Sequence, residues 1–263
     1  VEIQLTHNNN IGGVQYSVGG NFTYVRNRVV YIDEVPGLPD YQRAEGYPIG
    51  SFALYQANGI FKSLEEISNY PHVSGTVPGD IRLVDTNGDK VINNKDQVRI
   101  DKTNVPRIIY GINLGASYRN FDMTMLWQGQ AQAAQYVLLE SGSTGNFFAS
   151  DVADRWSPQN PTGNWPRVAD KMYTSLSGNA YPNTFWLRNT DFIRLKNVEI
   201  GYNLPATLVS KAKLGGVRVY ANGFNILTLT NSANKNIDPE GDQQTATFYP
   251  QQRTLNLGVN VRF

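Results

Sequence analysis

The sequence predicts an all-β fold: a segment of an antiparallel transmembrane β-barrel with long extracellular loops. Three observations lead to this prediction. Several segments alternate between apolar and polar residues, which is typical of strands with two unlike faces. The connections between these segments are alternately short and long. No stretch approaches the run of about 18 apolar residues that a transmembrane helix needs.

The alternating segments define about seven strands. The segment from Ile108 to Tyr118 places apolar residues on one face and small or polar residues on the other. The segment from Leu255 to Phe263 is the most regular, because every second residue is apolar. The segments cover roughly residues 1–7, 14–26, 108–118, 121–128, 185–204, 217–227 and 255–263.

Two strands carry a break in this alternation. In the fifth, the apolar residues change parity between Leu195 and Val198, and a β-bulge there would reconcile the two halves. In the sixth, the apolar pattern slips between Ala221 and Phe224.

The connections sort into two classes. The short ones are the polar turn HNNNIGG, the pair Arg119–Asn120 and a link from Pro205 to Gly216 with room for one helical turn. The long ones, over roughly residues 29–106, 139–184 and 229–252, are predicted to be extracellular loops. Outer-membrane barrels alternate in this way, since tight turns face the periplasm and long loops face outward. Loops longer than about 15 residues are uncommon in compact soluble domains.

The two faces of the strands indicate their surroundings. The polar face is rich in Asn, Gln, Gly, Ser and Thr with few charges, which suits a water-filled lumen. The apolar face carries aromatic residues near the strand ends, as a lipid-facing surface does. In a soluble protein, the same apolar face would pack the core of a sandwich.

The strand count indicates a larger barrel. An odd number of antiparallel strands cannot close an up-and-down barrel with both termini on the periplasmic side, and Val1 would begin in mid-strand. We therefore expect the remaining strands to lie outside this chain.

Several blocks of the sequence resemble the SusC/RagA-like TonB-dependent transporters of Bacteroidetes-type bacteria. They run in the order found in that family and cover most of the chain. The blocks are EGYPIGSFALYQANGIFKSLEEI, PGDIRLVDTNGDKVINNKDQ, YGINLGASYRNFDMTMLWQGQ, RWSPQNP, FWLRNTDFIRLKNVEIGYNLP, VRVYANGFNILTLT, DPE and YPQQRTLNLGVNVRF.

The resemblance implies that residues 1–263 are the C-terminal part of a plugged barrel of about 22 strands in the outer membrane. It also implies a SusD-like surface lipoprotein as a lid, outer-membrane lipid around the wall and import of oligosaccharides or peptides driven by TonB. In this family the plug and the segment that contacts TonB are N-terminal, so we expect both to lie outside this chain.

The segment from Asp85 to Asp96 has the spacing of a twelve-residue calcium loop. Alternate residues of such a loop aim oxygens at a hard cation, so calcium is the one cofactor we expect. Lys90 stands where the sharp turn normally has Gly, and a non-glycine residue with positive φ is uncommon. The alternative is a loop of Asx-turns without an ion. The predicted ligands are Asp85, Asn87, Asp89, the carbonyl of Val91, Asn93 and Asp96.

Aromatic residues in the second long loop are candidates for contacts with a ligand or with the lid, because Trp and Tyr are enriched in interaction hot spots. The alternative is that they pack the loops together. The candidates are Trp156, Trp165, Tyr173 and Tyr181.

Phe263 ends an alternating strand. An aromatic residue there resembles the signal that the barrel-assembly machinery reads. A lipid-facing ring at the periplasmic interface would be compatible with the same role.

The composition argues against enzymes and nucleic-acid binding. The 23 basic and 22 acidic residues nearly cancel, so no polybasic surface for nucleic acid is expected. The absence of Cys excludes thiol chemistry, and no hydrolase, zinc-protease, phosphate-loop or dinucleotide motif occurs. We therefore expect no catalytic residues.

Two further functions fit the sequence. One is a soluble calcium-dependent carbohydrate-binding β-domain. The other is a SusC-like barrel that serves as a scaffold or assembly subunit of an envelope complex, and it would share every strand with a transporter.

Overall fold

The protein consists mainly of β-strands. A computed structural model describes residues 1–137, 149, 153–167, 181–234, 237–241 and 251–263. The strands are β1 (Glu2–Ile11), β2 (Val14–Tyr24), β3 (Ala53–Tyr55), β4 (Ala57–Ile60), β5 (Ile81–Leu83), β6 (Gln97–Arg99), β7 (Ile108–Tyr118), β8 (Phe121–Ala131), β9 (Ala134–Tyr136), β10 (Leu187–Asn189), β11 (Phe192–Asn203), β12 (Gly216–Thr230) and β13 (Thr254–Arg262). Short helices are α1 (Leu64–Ser68) and α2 (Ala206–Val209), and 3-10 turns span Asn94–Asp96, Thr184–Trp186, Ser210–Ala212 and Ser232–Asn234.

Seven long strands form one antiparallel sheet in the order β1-β2-β7-β8-β11-β12-β13. Each strand pairs with the next long strand along the chain, so the sheet is a meander with β1 and β13 at its edges. This confirms the predicted all-β class and the predicted number of long strands. In the described residues, no helix is long and apolar enough to cross a membrane.

Two predicted strand boundaries were wrong. The segment HNNNI belongs to β1 and not to a turn, because Gly12 and Gly13, with φ of +59° and +82°, make the turn by themselves. The fifth long strand begins at Phe192 and not near Phe185, because residues 184–189 form a 3-10 turn and then β10, which pairs with β9.

The predicted bulge lies in β11. Its register shifts between Leu195 and Asn197 against both neighbouring strands, β8 and β12. Opposite this shift, Asn225 of β12 has φ of +54°, where the sequence pattern of that strand slips. The irregularity therefore extends across adjacent strands. Beyond it, the apolar residues again point to the same side of the sheet although their parity in the sequence has changed.

The register aligns the apolar residues of neighbouring strands on one face. At the end with the short turns, Tyr118 pairs with Val14 and Phe121, and Tyr202 pairs with Phe121 and Val219. Paired residues point to the same side of a sheet. A row of apolar and aromatic side chains therefore runs across the strands, and we call this side the apolar face.

The opposite side is the polar face. Gly111 pairs with Asn21 and Gln128, and Arg194 pairs with Gln128 and Thr228. The alternation read from the sequence therefore becomes two continuous surfaces of different chemistry.

The buried hydrophobic residues lie outside the large sheet. Among the described residues, Phe192 is the only buried hydrophobic residue of the seven long strands. The main cluster, which we call the loop cluster, comes from the connections 25–107 and 132–191, and its Trp186 is fully buried. The other buried members are Tyr55, Ile60, Ile81, Leu83 and Ile92.

The long connections therefore have their own secondary structure. Strand β3 pairs with β6, β4 with β5 and β9 with β10, all antiparallel. These small sheets surround the loop cluster beyond the long-connection end of the large sheet, so the described parts of two loops predicted from the sequence pack as one unit.

Candidate functional site

The polar face of the sheet, with the connections at its long-loop end, is the candidate functional site. It contains amide, hydroxyl and glycine positions and two clusters of charged side chains. Its neutral members within the described strands include Asn21, Ser17, Asn113, Thr124, Gln128, Asn222, Thr228 and Asn256.

The first charged cluster joins β8, β11 and β12. Arg218 donates from Nε to Asp122 Oδ2 at 3.0 Å and from Nη2 to Glu199 Oε1 at 2.8 Å. A Cβ on Gly201 would collide with the Arg218 guanidinium, so the glycine makes room for it. All three charged side chains are about a quarter exposed or less. The arrangement ties three strands together on the polar face of the sheet.

The second charged cluster binds residues of a long connection to the polar face of the sheet. Arg194 of β11 donates from Nη2 to both carboxylate oxygens of Asp238, at 2.9 and 2.8 Å, and from Nη1 to Glu240 at 2.6 Å. Its Nε donates to Thr228 Oγ1 at 2.8 Å, and the side chain is 2% exposed. A planar guanidinium held by two carboxylates is a strong and directional contact.

Sequence reasoning missed this contact. The segment DPE was recognised only through the resemblance, and Arg194 was not singled out. The available signal was an Arg at a polar-face position of a strand together with two acidic residues in the following long connection.

A cavity of about 510 Å³ lies beside Arg194 and residues 237–239. The amide oxygens of Asn225 and Asn234 are buried without a hydrogen-bond donor among the described groups. Their amide nitrogens donate elsewhere, for example from Asn234 to Thr230 Oγ1 at 3.2 Å. The cavity is lined by charged, amide and hydroxyl side chains, among them Arg194, Asp238 and Thr228, so it suits a polar ligand.

The segment predicted to bind calcium is a tightly hydrogen-bonded turn. Asp85 accepts from the backbone N–H groups of Gly88 and Lys90 at 2.7 and 2.8 Å. Lys90 has φ of +66°, so it takes the left-handed conformation that the loop pattern assigns to Gly. The hydrogen bond from Asn87, followed by that from Val91, lowers the pKa of Asp89.

Asp96 closes this turn from its other end. It is fully buried and accepts from the backbone N–H of Thr86 at 2.9 Å and of Asn93 at 2.8 Å. In the described residues, no three His, Cys, Asp or Glu side chains converge as a metal-ligand group. The calcium site stays a prediction.

The aromatic candidates of the second long connection pack into the loop cluster. Trp156, Trp165 and Tyr181 lie partly buried against it. The ring centres of Trp165 and Trp186 are 5.7 Å apart, and those of Tyr181 and Tyr55 are 5.4 Å apart. Their contact with a ligand or lid stays a prediction.

Two other sequence candidates have different outcomes. Tyr173 lies outside the described residues. Phe263 is 95% exposed after the end of β13, and its role as an assembly signal stays a prediction.

Two phenols of the loop cluster are held in their neutral form. Burial raises the pKa of Tyr136 to about 12. Burial, followed by the charges of Tyr181 and Asp96, raises the pKa of Tyr55. The cluster therefore favours uncharged groups, as a structural unit does.

Comparison with known proteins gives a consistent assignment. The chain is 29% identical to TonB-dependent receptor P3 of Formosa agariphila over 94% of its own length and 27% of the relative's. It is 31% identical to TonB-dependent receptor P26 of the same organism over 88% of its length and 24% of the relative's. It therefore spans about a quarter of these curated relatives. No family model matches the sequence.

Solved structures share the fold. The RagAB peptide transporter aligns over 100% of this chain and 29% of its own, with a TM-score of 0.67 and 23% identity. RagAB in its open-open state aligns with the same TM-score and identity. Together with the receptor relatives and the seven-stranded sheet, these likenesses confirm the resemblance seen in the sequence. The chain belongs to the SusC/RagA-like TonB-dependent receptors.

Proposed function

We propose that this chain forms the C-terminal part of the barrel wall of an outer-membrane nutrient importer. The observation that carries the proposal is the seven-stranded sheet with one apolar and one polar face. The apolar face lies against lipid and the polar face lines the path of the cargo. The receptor, and not this chain by itself, performs the import.

The exposure of the apolar face supports a membrane location. Leu257 is 88% exposed and Leu255 is 79% exposed, although both lie in a regular strand. Burying one such side chain gains about 1.5–3 kcal/mol, so leaving a whole face in water would be costly. A large exposed apolar surface marks an interaction with lipid or protein.

The edges of the sheet support a larger barrel. Strands β1 and β13 each pair on one side only within the described chain, and both are long. Unpaired edges of this length favour association with further strands. We infer that other strands of the receptor complete the barrel, which the family resemblance puts at about 22 strands.

The long connections support an extracellular rim for capture of cargo. In the described residues, the first two long connections pack as one unit beyond one end of the sheet, while tight turns occupy the other end. A SusD-like lipoprotein would cover this rim, and TonB would act through a plug elsewhere in the receptor. The cargo would be an oligosaccharide or a peptide, and the polar cavity beside Arg194 can accept either.

The apolar face also weighs against the soluble carbohydrate-binding alternative, because that protein would bury it in a core. The scaffold alternative predicts the same wall without transport. Only a transport measurement distinguishes a scaffold from an importer.

Cysteine labelling tests the assignment of the faces. The chain has no Cys, so Ile112→Cys on the apolar face and Asn113→Cys on the polar face introduce unique thiols into it. The two positions are adjacent in β7 and both are exposed, so they form a matched pair. In outer-membrane vesicles, a charged membrane-impermeant maleimide should label Asn113→Cys and spare Ile112→Cys. Equal labelling of both would contradict the membrane wall.

Uptake by whole cells tests import. Cells that lack the gene for the receptor should lose accumulation of fluorescent oligosaccharides or of fluorescent peptides, and plasmid-borne receptor should restore it. Unchanged uptake of both classes, with the labelling pattern intact, would support the scaffold instead.

A further inference from the structure

The end of the sheet with the short connections has a basic rim. Within Gly12–Gly13, Arg119–Asn120 and residues 204–215, the charged residues are Arg119, Lys211 and Lys213, and neither Asp nor Glu occurs. We call these three residues the basic rim. All three are exposed, and in the described part of the chain none forms an ion pair.

The nearest acidic side chains do not neutralise this rim. Asp122 and Glu199 are the acidic residues of the neighbouring strand segments, and both are bound to Arg218. They point to the polar face, away from the apolar face. On the apolar side of the sheet, the positive charge of the basic rim therefore has no acidic partner among the described residues.

Arg119 lies on the apolar side of the sheet. Its guanidinium carbon is 5.1 Å from the ring centre of Tyr118, which belongs to the apolar row. Arg119 has φ of +52° in its two-residue turn. The next aromatic pair in the row, Phe121 and Tyr202, has ring centres 4.7 Å apart. Aromatic side chains of membrane proteins concentrate at the boundary between hydrocarbon and headgroups.

The link between β11 and β12 adds to this boundary. It carries Lys211 and Lys213, and Leu208 of α2 is 56% exposed in the same link. An exposed Leu close to two exposed lysines suits an interface where hydrocarbon meets charged groups. The cations of two separate connections therefore lie at the same end of the sheet as the aromatic row.

We propose that the basic rim binds the headgroups of anionic phospholipids in the leaflet that surrounds the short turns. The inference depends on the proposed membrane wall and adds a specific lipid partner to it. A guanidinium can hold a phosphate through two parallel hydrogen bonds, and the two ammonium groups add point charges. Each basic residue near an anionic membrane surface increases affinity by about fivefold.

Lipid selectivity of the reconstituted receptor tests the proposal. The whole receptor is incorporated into phosphatidylcholine vesicles that contain spin-labelled phosphatidylglycerol or spin-labelled phosphatidylcholine. The fraction of motionally restricted label gives the relative association of the two lipids. We expect the unaltered receptor to prefer phosphatidylglycerol by about fivefold or more. In the triple variant Arg119→Gln, Lys211→Gln, Lys213→Gln, the preference should fall.

A double variant at the other end of the molecule is the control. Lys90→Gln and Lys95→Gln remove two exposed cations of the first long connection, and the preference should stay unchanged. Equal restriction of both lipids by the unaltered receptor, or a preference that the triple variant leaves unchanged, would overturn the proposal. If neither lipid is restricted, the membrane wall itself is wrong and this inference fails with it.

Discussion

The guanidinium of Arg194 and the carboxylate of Asp238, 44 residues apart in the sequence, form a salt bridge in which Nη2 lies 2.9 and 2.8 Å from the two carboxylate oxygens. Arg194 stands on the polar face of β11, and Asp238 lies in the connection that follows β12. The contact therefore fixes residues 237–241 against the polar face of the sheet. It also defines one side of the polar cavity, so its loss should affect both the connection and the cavity.

Replacing Arg194 by Ala should release residues 237–241 from the polar face of the sheet. Asp238 and Glu240 would lose their shared cation, and breaking a buried charge pair costs about 3–5 kcal/mol. The measurement is amide hydrogen exchange of these residues in the intact receptor, where protection should fall strongly.

The matched control for this change is Lys196→Ala. Lys196 Nζ reaches Glu240 at 3.3 Å, but its side chain is 31% exposed. Pairs with this exposure contribute about 1 kcal/mol or less, so protection of residues 237–241 should change little. An equal loss of protection in both variants would show that Arg194 is not the anchor.

Gly129→Ala should impair assembly of the sheet. A Cβ at this position would lie 2.5 Å from the carbonyl oxygen of Phe192 and would also collide with the ring of Tyr110. The carbonyl belongs to a paired strand and cannot move aside, so a loss of about 1–3 kcal/mol is expected from overpacking. The readout is the shift between folded and heat-denatured receptor on a semi-native gel.

Gly19→Ala provides the comparison on another strand. There the added Cβ would meet its nearest atom, Asn113 Cβ, at 3.8 Å, which is an ordinary contact. Its folded band should persist to nearly the temperature of the unaltered receptor. A folded band of equal heat resistance in Gly129→Ala would contradict the steric argument.

The long strands could be predicted because one face of each has a single environment along its whole length. The bounds of β7 were predicted to the residue, and the change of parity after Leu195 marked the bulge. Here apolar periodicity reports directly on the side that each residue faces.

The loop cluster could not be predicted in the same way. Tyr55 and Trp186 meet in one cluster although a large part of the chain separates them, and the short strands around them are too brief to show a period. The contact of Arg194 with Asp238 was missed for the same reason, because no local pattern records which distant carboxylate meets a polar-face Arg. Predictions from alternation therefore stop where contacts become non-local.

Calcium should stabilise the turn from Asp85 to Asp96. The side-chain oxygens of Asp85 and Asp89 accept hydrogen bonds from backbone N–H groups within the turn. Their remaining lone pairs can coordinate an ion. At a concentration of about 100 times Kd, a bound ion adds about 2.7 kcal/mol. Thermal unfolding of the loops should therefore move to a higher temperature with calcium, compared with a chelator.

Asp85→Ala should abolish this calcium-dependent rise. Asp40→Ala is the control, since Asp40 is an exposed carboxylate of the same connection paired with Arg43 at 3.4 Å. The control should retain the full rise. If the unaltered receptor shows no rise with calcium, the turn holds no ion and its hydrogen bonds alone maintain it.

Tyr136 should make the loop cluster sensitive to alkaline pH. Burial raises the pKa of its phenol from about 10 to about 12, so the folded cluster holds the proton more tightly than the unfolded chain. This contribution to stability is complete below pH 10 and is lost as the pH rises towards 12. The thermal midpoint of the loops, followed by near-ultraviolet circular dichroism of the tryptophans in the loop cluster, should fall across that window.

Tyr136→Phe separates this effect from general alkaline damage. The variant loses the hydrogen bond to the backbone of Asn183, so it should start about 1 kcal/mol less stable at neutral pH. Because Phe cannot ionise, its midpoint should fall less between pH 10 and 12 than that of the unaltered receptor. Tyrosinate absorbance should also lack the component that titrates near pH 12. Parallel loss of stability in both proteins would mean that another group governs the alkaline transition.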